Sequence, residues 1–267
     1  MSKSNVSHLL RAFIPFSIMV LLQRVLLLVF GYMNLSERLA ELLAFIPAAA
    51  VCAIIFSFVK TKGNGGGEYG VPPLTKKRKL YAVLMTVVIS AVMIAIMYAV
   101  TSILDGTITD DVALTPVSIL SLVIVHPIFE EYVFRGLIYK EMRNMNPVFA
   151  TLASAVMFAI VHNSVGGMLY ALASGIALAV LLETTGRLSV AIAAHMIVNS
   201  RSIIYRTLLL GMDDVIKTVD TVIFVLGALS LICVIVIVGH GRDTDSKLEA
   251  EIQCEAECEP EVEDDAT

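Results

Sequence analysis

The sequence predicts an all-α polytopic membrane protein, a bundle of about eight transmembrane helices. Three observations carry this expectation. Of the 267 residues 57% are hydrophobic and only 16% charged, whereas a soluble domain carries about 25% charged residues. The mean hydropathy is +0.83. Apolar runs long enough to cross a bilayer, about 20 residues each, recur along the whole chain. A water-soluble fold of this length could not hide so much apolar surface in one core.

The expected spans are 9–33, 39–59, 80–104, 116–142, 147–165, 167–183, 188–210 and 219–238. The second, third and eighth are uninterrupted. Gln23 and Arg24 interrupt the first, which reads either as one tilted helix or as a helix with a buried polar pair. The first run is too long for a signal-peptide core and no small-residue cleavage site follows it, so it is expected to remain in the mature protein. Gly166, Gly167 and Gly175 fall in the sixth, the shortest. The glycine-rich, then basic loop 60–79 is the clearest internal boundary, but residues 1–238 read as one transmembrane domain.

The formal net charge of −5 belongs to the tail. Residues 239–267 hold 11 acidic residues against two basic ones, so the remainder carries +4. A segment this acidic and poor in apolar residues is expected to be disordered and solvated. Lysine and arginine mark the cytoplasmic loops. Lys3 and Arg11, then Lys60, Lys62 and Lys76 to Lys79, then Lys140 and Arg143, alternate with acidic loops at Asp105, Asp110 and Asp111, and at Asp213, Asp214 and Asp220. With eight spans both termini face the cytoplasm, across what is expected to be the plasma membrane. Cys52 and Cys233 lie in apolar runs. Cys254 and Cys258 alone cannot close a zinc site, so all four read as free thiols. No feature points to a nucleic-acid partner.

Ionisable side chains inside spans are costly and by default mark function. Three groups occur. The stretch VIVHPIFEEYVFRG holds His126, Glu130, Glu131 and Arg135. Glu131 and Arg135 are four apart and can pair on one helical face. Glu130 is turned about 100° away, toward the face of His126, which suits it to general-base work. Pro127 unsettles that register. The second group is Phe158 and His162, also four apart. The third is His195 and Asn199, able to present an imidazole and a carboxamide to one point. Taken singly, each could be interhelical glue.

Together, EExxxR, FxxxH and HxxxN on three separate apolar helices resemble the CAAX-protease and bacteriocin-processing family, also called abortive-infection-type proteins. The resemblance covers about 116–210. It implies an intramembrane endopeptidase, related to the eukaryotic enzyme that trims prenylated CAAX proteins and to bacterial proteins linked with bacteriocin maturation and self-immunity. It further implies that Glu130 and His162 activate water. His195 and Asn199 would stabilise the oxyanion, or His195 would join Glu130 and His162 as a ligand of a divalent metal such as zinc. Glu131 and Arg135 would be structural, with His126 and Phe158 supporting the site.

Two histidines and a glutamate match a catalytic zinc set. A metal-free glutamate mechanism needs only a base, a polarising histidine and oxyanion donors, and is the preferred reading. The expected partners are the bilayer and a peptide or membrane-anchored protein substrate. The alternative function is a catalytically silent immunity or scaffold protein on the same fold. A proton-relay transporter would call for paired repeats, and no repeat is found.

Overall fold

A computed structural model of the protein describes residues 3–59, 76–103, 115–162, 164–208, 212, 214–226 and 229. The chain divides into a unit of residues 1–227 and a second of residues 228–267. Only Leu229 of the second is described, and every interaction below lies within the first. Outside the described residues fall most of the loop 60–79, the acidic loop at Asp105, Asp110 and Asp111, Asp213, most of the eighth expected span and the tail 239–267.

The described residues are helical with short connections. The helices are α1 (Lys3–Tyr32), α2 (Glu37–Val59), α3 (Lys76–Ile103), α4 (Pro116–Arg143), α5 (Pro147–Ile160), α6 (Val165–Thr185), α7 (Leu188–Leu208) and α8 (214–226). All but the last agree with the expected spans to within a few residues. Five of them, α1, α2, α3, α4 and α6, are long and apolar enough to cross a membrane. The first is continuous through Gln23 and Arg24. The fifth is the exception in length. At about 1.5 Å per residue its 14 residues rise about 21 Å, short of the roughly 30 Å hydrocarbon layer. A helix starting at the interface therefore ends inside it.

Local chemistry sets these boundaries. Pro147 occupies the first turn of α5, where no amide donor is required, and the Asn146 side chain accepts from the Phe149 amide at 3.0 Å. Ser164 caps α6 in the same way through Gly167, at 3.0 Å. Gly186 ends α6 in the left-handed region, φ 68°, a conformation glycine adopts without steric cost. That tight reversal starts α7 two residues later.

Small side chains let the helices approach closely, as lipid-embedded bundles require. Ala12 of α1 and Ala44, Ala48 and Ala49 of α2 are buried, as are Ala150 and Ala155 of α5 and Ala171 and Ala179 of α6. The helix α4 lies centrally, touched by α1, α2, α5, α6 and α7. Its last turns are held by carboxylates. Glu183 accepts from the Tyr139 hydroxyl and the Arg143 guanidinium. Glu141 accepts from His8 Nδ1 at 2.8 Å, with Arg11 Nη1 3.7 Å away.

Two stretches of α4, Ser121–Val125 and Tyr132–Tyr139, are wound as π-helix. Such insertions are rare and gather at functional sites. The first has a local cause in Pro127. A proline inside a helix removes one donor and crowds the carbonyl four residues back. Here the His126 amide bonds Ser121 O, five residues back. In that register the Leu122 carbonyl would look to the amide of Pro127, which has no hydrogen. A carbonyl is thus left over in the membrane interior.

Candidate active site

The leftover carbonyl is the first clue to the site. Asn199 Nδ2 on α7 donates to Leu122 O at 3.0 Å. Leaving a backbone carbonyl unpaired in lipid would cost several kcal/mol (about that order), so Pro127 and Asn199 form a matched pair. The bond pins α7 to α4 one turn from His195.

Glu131 is fully buried and its Oε1 is shared. Arg135 Nη1 donates to it at 2.9 Å, and His195 Nδ1 donates to it at 2.9 Å. Because a carboxylate only accepts, His195 carries its proton on Nδ1 and turns Nε2 away. That Nε2 stands 3.7 Å from Glu130 Oε2. Glu130 is 9% exposed, and its Oε1 lies 3.4 Å from His126 Nδ1. The His126 ring stacks on Phe45 of α2, centroids 5.0 Å apart and planes 13° from parallel. Pro127 does not spoil the expected register of His126 and Glu130.

His162 sits just beyond the end of α5. Its Nδ1 donates to Phe158 O at 2.9 Å, which again leaves Nε2 for other work. The Phe158 ring packs edge-on against His162, centroids 4.9 Å apart, and against His195 at 5.9 Å. The Arg135 guanidinium lies over the same ring at 4.6 Å, a cation–π contact. Phe158 is thus the apolar spacer around which both imidazoles and the arginine are arranged.

Arg135 also donates from Nη2 to Gly175 O on α6 at 3.1 Å. A Cβ at Gly175 would stand 2.9 Å from both Cα and Cβ of Ala155 and 3.4 Å from Arg135 Nη2. Gly175→Ala is therefore expected to force α5 and α6 apart at about 1–3 kcal/mol. Thermal inactivation in detergent measures this; an unshifted curve would show the close approach to be dispensable.

All eight side chains singled out in the sequence come to one region, around α4, α5 and α7. Glu131 differs from its expected place. It is both the partner of Arg135 and the group that orients His195, so it belongs to the site's interior. Asn199 faces the Leu122 carbonyl. Among the described residues no three His, Cys, Asp or Glu side chains gather to hold an ion. Glu130 is drawn to His126 and His195, while His162 lies beyond the end of α5. Sequence reasoning missed Phe45 and the role of Gly175 of α6. The only sequence sign of them was the glycine in an apolar helix.

The comparisons bear on this same stretch. Residues 112–201 match the family described as Type II CAAX prenyl endopeptidase Rce1-like. The matched segment contains every polar side chain of the site just described. A Bacillus subtilis (strain 168) protein named "Putative membrane peptidase YdiL" is 37% identical over 94 residues, which is 35% of this chain and 38% of that protein. The match thus spans well under half the length of the curated relative. No solved structure matches the chain.

Proposed function

We propose that the protein is an intramembrane endopeptidase of the CAAX-protease type, hydrolysing a peptide bond near a lipid anchor or the end of a membrane span. The supporting observation is the pair of imidazoles with Nδ1 committed and Nε2 free, set around a buried carboxylate, Glu130, that has no arginine partner at helical spacing. The Rce1-like segment adds the reaction class.

In this mechanism Glu130 takes a proton from water, which His162 Nε2 helps orient. The water oxygen attacks the carbonyl carbon and the π electrons move to the carbonyl oxygen. His195, with Glu131 as its counter-charge, stabilises the resulting oxyanion. The proton on Glu130 then passes to the leaving nitrogen as the C–N bond breaks. Asn199 keeps α7 in register, and its second N–H remains for the oxyanion. Arg135 and Gly175 hold Glu131, and His126 and Phe158 hold Glu130 and the imidazoles.

The substrate is a peptide or membrane-anchored protein reached from within the bilayer. Peptides released from membranes carrying the wild-type chain, compared with those carrying Glu130→Gln, test the reading. Identical peptide pools would overturn it in favour of a silent scaffold.

The loop charges support the reading that both termini face the cytoplasm and that the chain spans the plasma membrane. Reporters fused at about residue 70 and at the C-terminus should both read cytoplasmic, and one near 108 external. An external C-terminal reporter would break the eight-span arrangement.

A further inference from the structure

His126 lies outside the motifs EExxxR, FxxxH and HxxxN, yet it is bonded to the proposed base. Between its two π-wound stretches α4 keeps one short ordinary α segment, His126–Glu131. Four residues return such a helix to the same face, so this segment sets His126 beside Glu130. Its Nδ1 stands 3.4 Å from Glu130 Oε1. A carboxylate only accepts, so the proton of this bond is on Nδ1. The other carboxylate oxygen, Oε2, faces a different imidazole, His195 Nε2, at 3.7 Å. The two oxygens of Glu130 are therefore not equivalent.

The ring that meets Oε1 is itself held. The His126 side chain is 20% exposed, so burial alone does not fix its plane. Phe45 of α2 does. The two rings stack with centroids 5.0 Å apart and planes 13° from parallel, and Phe45 is 1% exposed within the hydrophobic core. A stacked neighbour restricts the tilt of the imidazole and so aims Nδ1 at Oε1. The arginine of the same helix, Arg135, serves Glu131. A phenylalanine at 126 would stack on Phe45 equally well, so the stack alone does not call for an imidazole. What phenylalanine lacks is the donor.

We infer that His126 is a positioning residue that makes Glu130 a one-oxygen base: its Nδ1–H holds Oε1, and Oε2 is the oxygen that takes the proton from water. This rests on the peptidase reading and deepens it. His126 keeps its proton throughout. The proton that moves travels from water to Oε2, and from Oε2 to the leaving nitrogen as the C–N bond breaks. The water is thereby placed on the α7 side of Glu130, the side on which His195 meets the oxyanion. Fixing the carboxylate in advance removes a rotation that the transition state would otherwise have to freeze. The gain therefore appears in kcat rather than in KM.

The test uses the full chain in phospholipid vesicles with a fluorogenic farnesylated CAAX peptide as the probe. Wild type, His126→Phe, His126→Asn, His126→Gln and Glu130→Gln are compared as rate per folded molecule. His126→Phe keeps the stack and removes the donor. It should lose about 10–100-fold in kcat, the loss expected of one hydrogen bond to a charged group, with KM and folded yield unchanged. Asparagine can place its Nδ2 where Nδ1 stands, whereas glutamine carries its amide out to the place of Nε2. His126→Asn should therefore keep the larger part of kcat, and His126→Gln should fall with His126→Phe. Wild-type kcat in folded His126→Phe, alongside an inactive Glu130→Gln, overturns this inference and leaves the peptidase reading standing. A loss confined to KM or to folded yield does the same. If His126→Phe does not fold, the two amides decide, and equal kcat in His126→Asn and His126→Gln overturns the inference. A wild type that cleaves no faster than Glu130→Gln overturns the peptidase reading and the inference with it.

Discussion

Glu130→Gln is expected to lower turnover by about 10²–10⁴-fold, the contribution of a lost general base, in a protein that still folds, inserts and binds substrate. Glutamine keeps the shape of the side chain. It can still meet His126 Nδ1, 3.4 Å from Oε1, and His195 Nε2, 3.7 Å from Oε2, so the packing should survive while the proton acceptor is lost. Glu131→Gln should behave differently. It removes the charge that Arg135 and His195 share and should act first on folded yield. Cleavage rate per folded molecule, with folding followed by size exclusion in detergent, separates the two variants. Near-wild-type turnover in folded Glu130→Gln would sink the assignment of the base.

Arg135→Ala is expected to cost about 3–5 kcal/mol, the penalty for stranding one partner of a buried pair. Neither Arg135 nor Glu131 has any exposed surface. The variant would also lose the tie to the Gly175 carbonyl and the contact with the Phe158 ring. Exchanging the two charges is not expected to rescue it, although spacing alone would suggest so. An arginine at 131 would face His195 Nδ1, and a carboxylate at 135 would face the carbonyl of Gly175. The measurement is folded yield and heat resistance of the purified variant. Values equal to wild type would mean that the pair does not hold the bundle.

Much of the site could be read from spacing within single helices. His126 with Glu130, Glu131 with Arg135, Phe158 with His162 and His195 with Asn199 are all four residues apart, and four residues return a helix to the same face. The span boundaries were equally legible, because a run of about 20 apolar residues has few alternatives. What spacing could not supply is contact between helices. Nothing in the order of residues indicates that Glu131 serves Arg135 and His195 through one oxygen. Nor does it indicate that Asn199 faces a backbone carbonyl, since that carbonyl exists as an acceptor only because the helix widens before Pro127. The expected span 147–165 also ran too long. The helix ends at Ile160, and His162 follows it two residues later, bonded back to Phe158 O.

The second widened stretch of α4, Tyr132–Tyr139, has a mechanical meaning. A helix is a shaft whose side chains are indexed by rotation, and one residue advances it by about 100°. The π winding takes up an extra residue without lengthening the lever by a full α step. Upstream of it the shaft presents Glu130 and Glu131 to α7. Downstream it presents Tyr139 and Arg143 to Glu183, and Glu141 to His8. Relaxing the stretch to ordinary α-helix would turn one end relative to the other by about a residue's worth of rotation. The Glu130 end and the anchored end of the same helix therefore keep different rotational settings, and the widened turn is the joint between them.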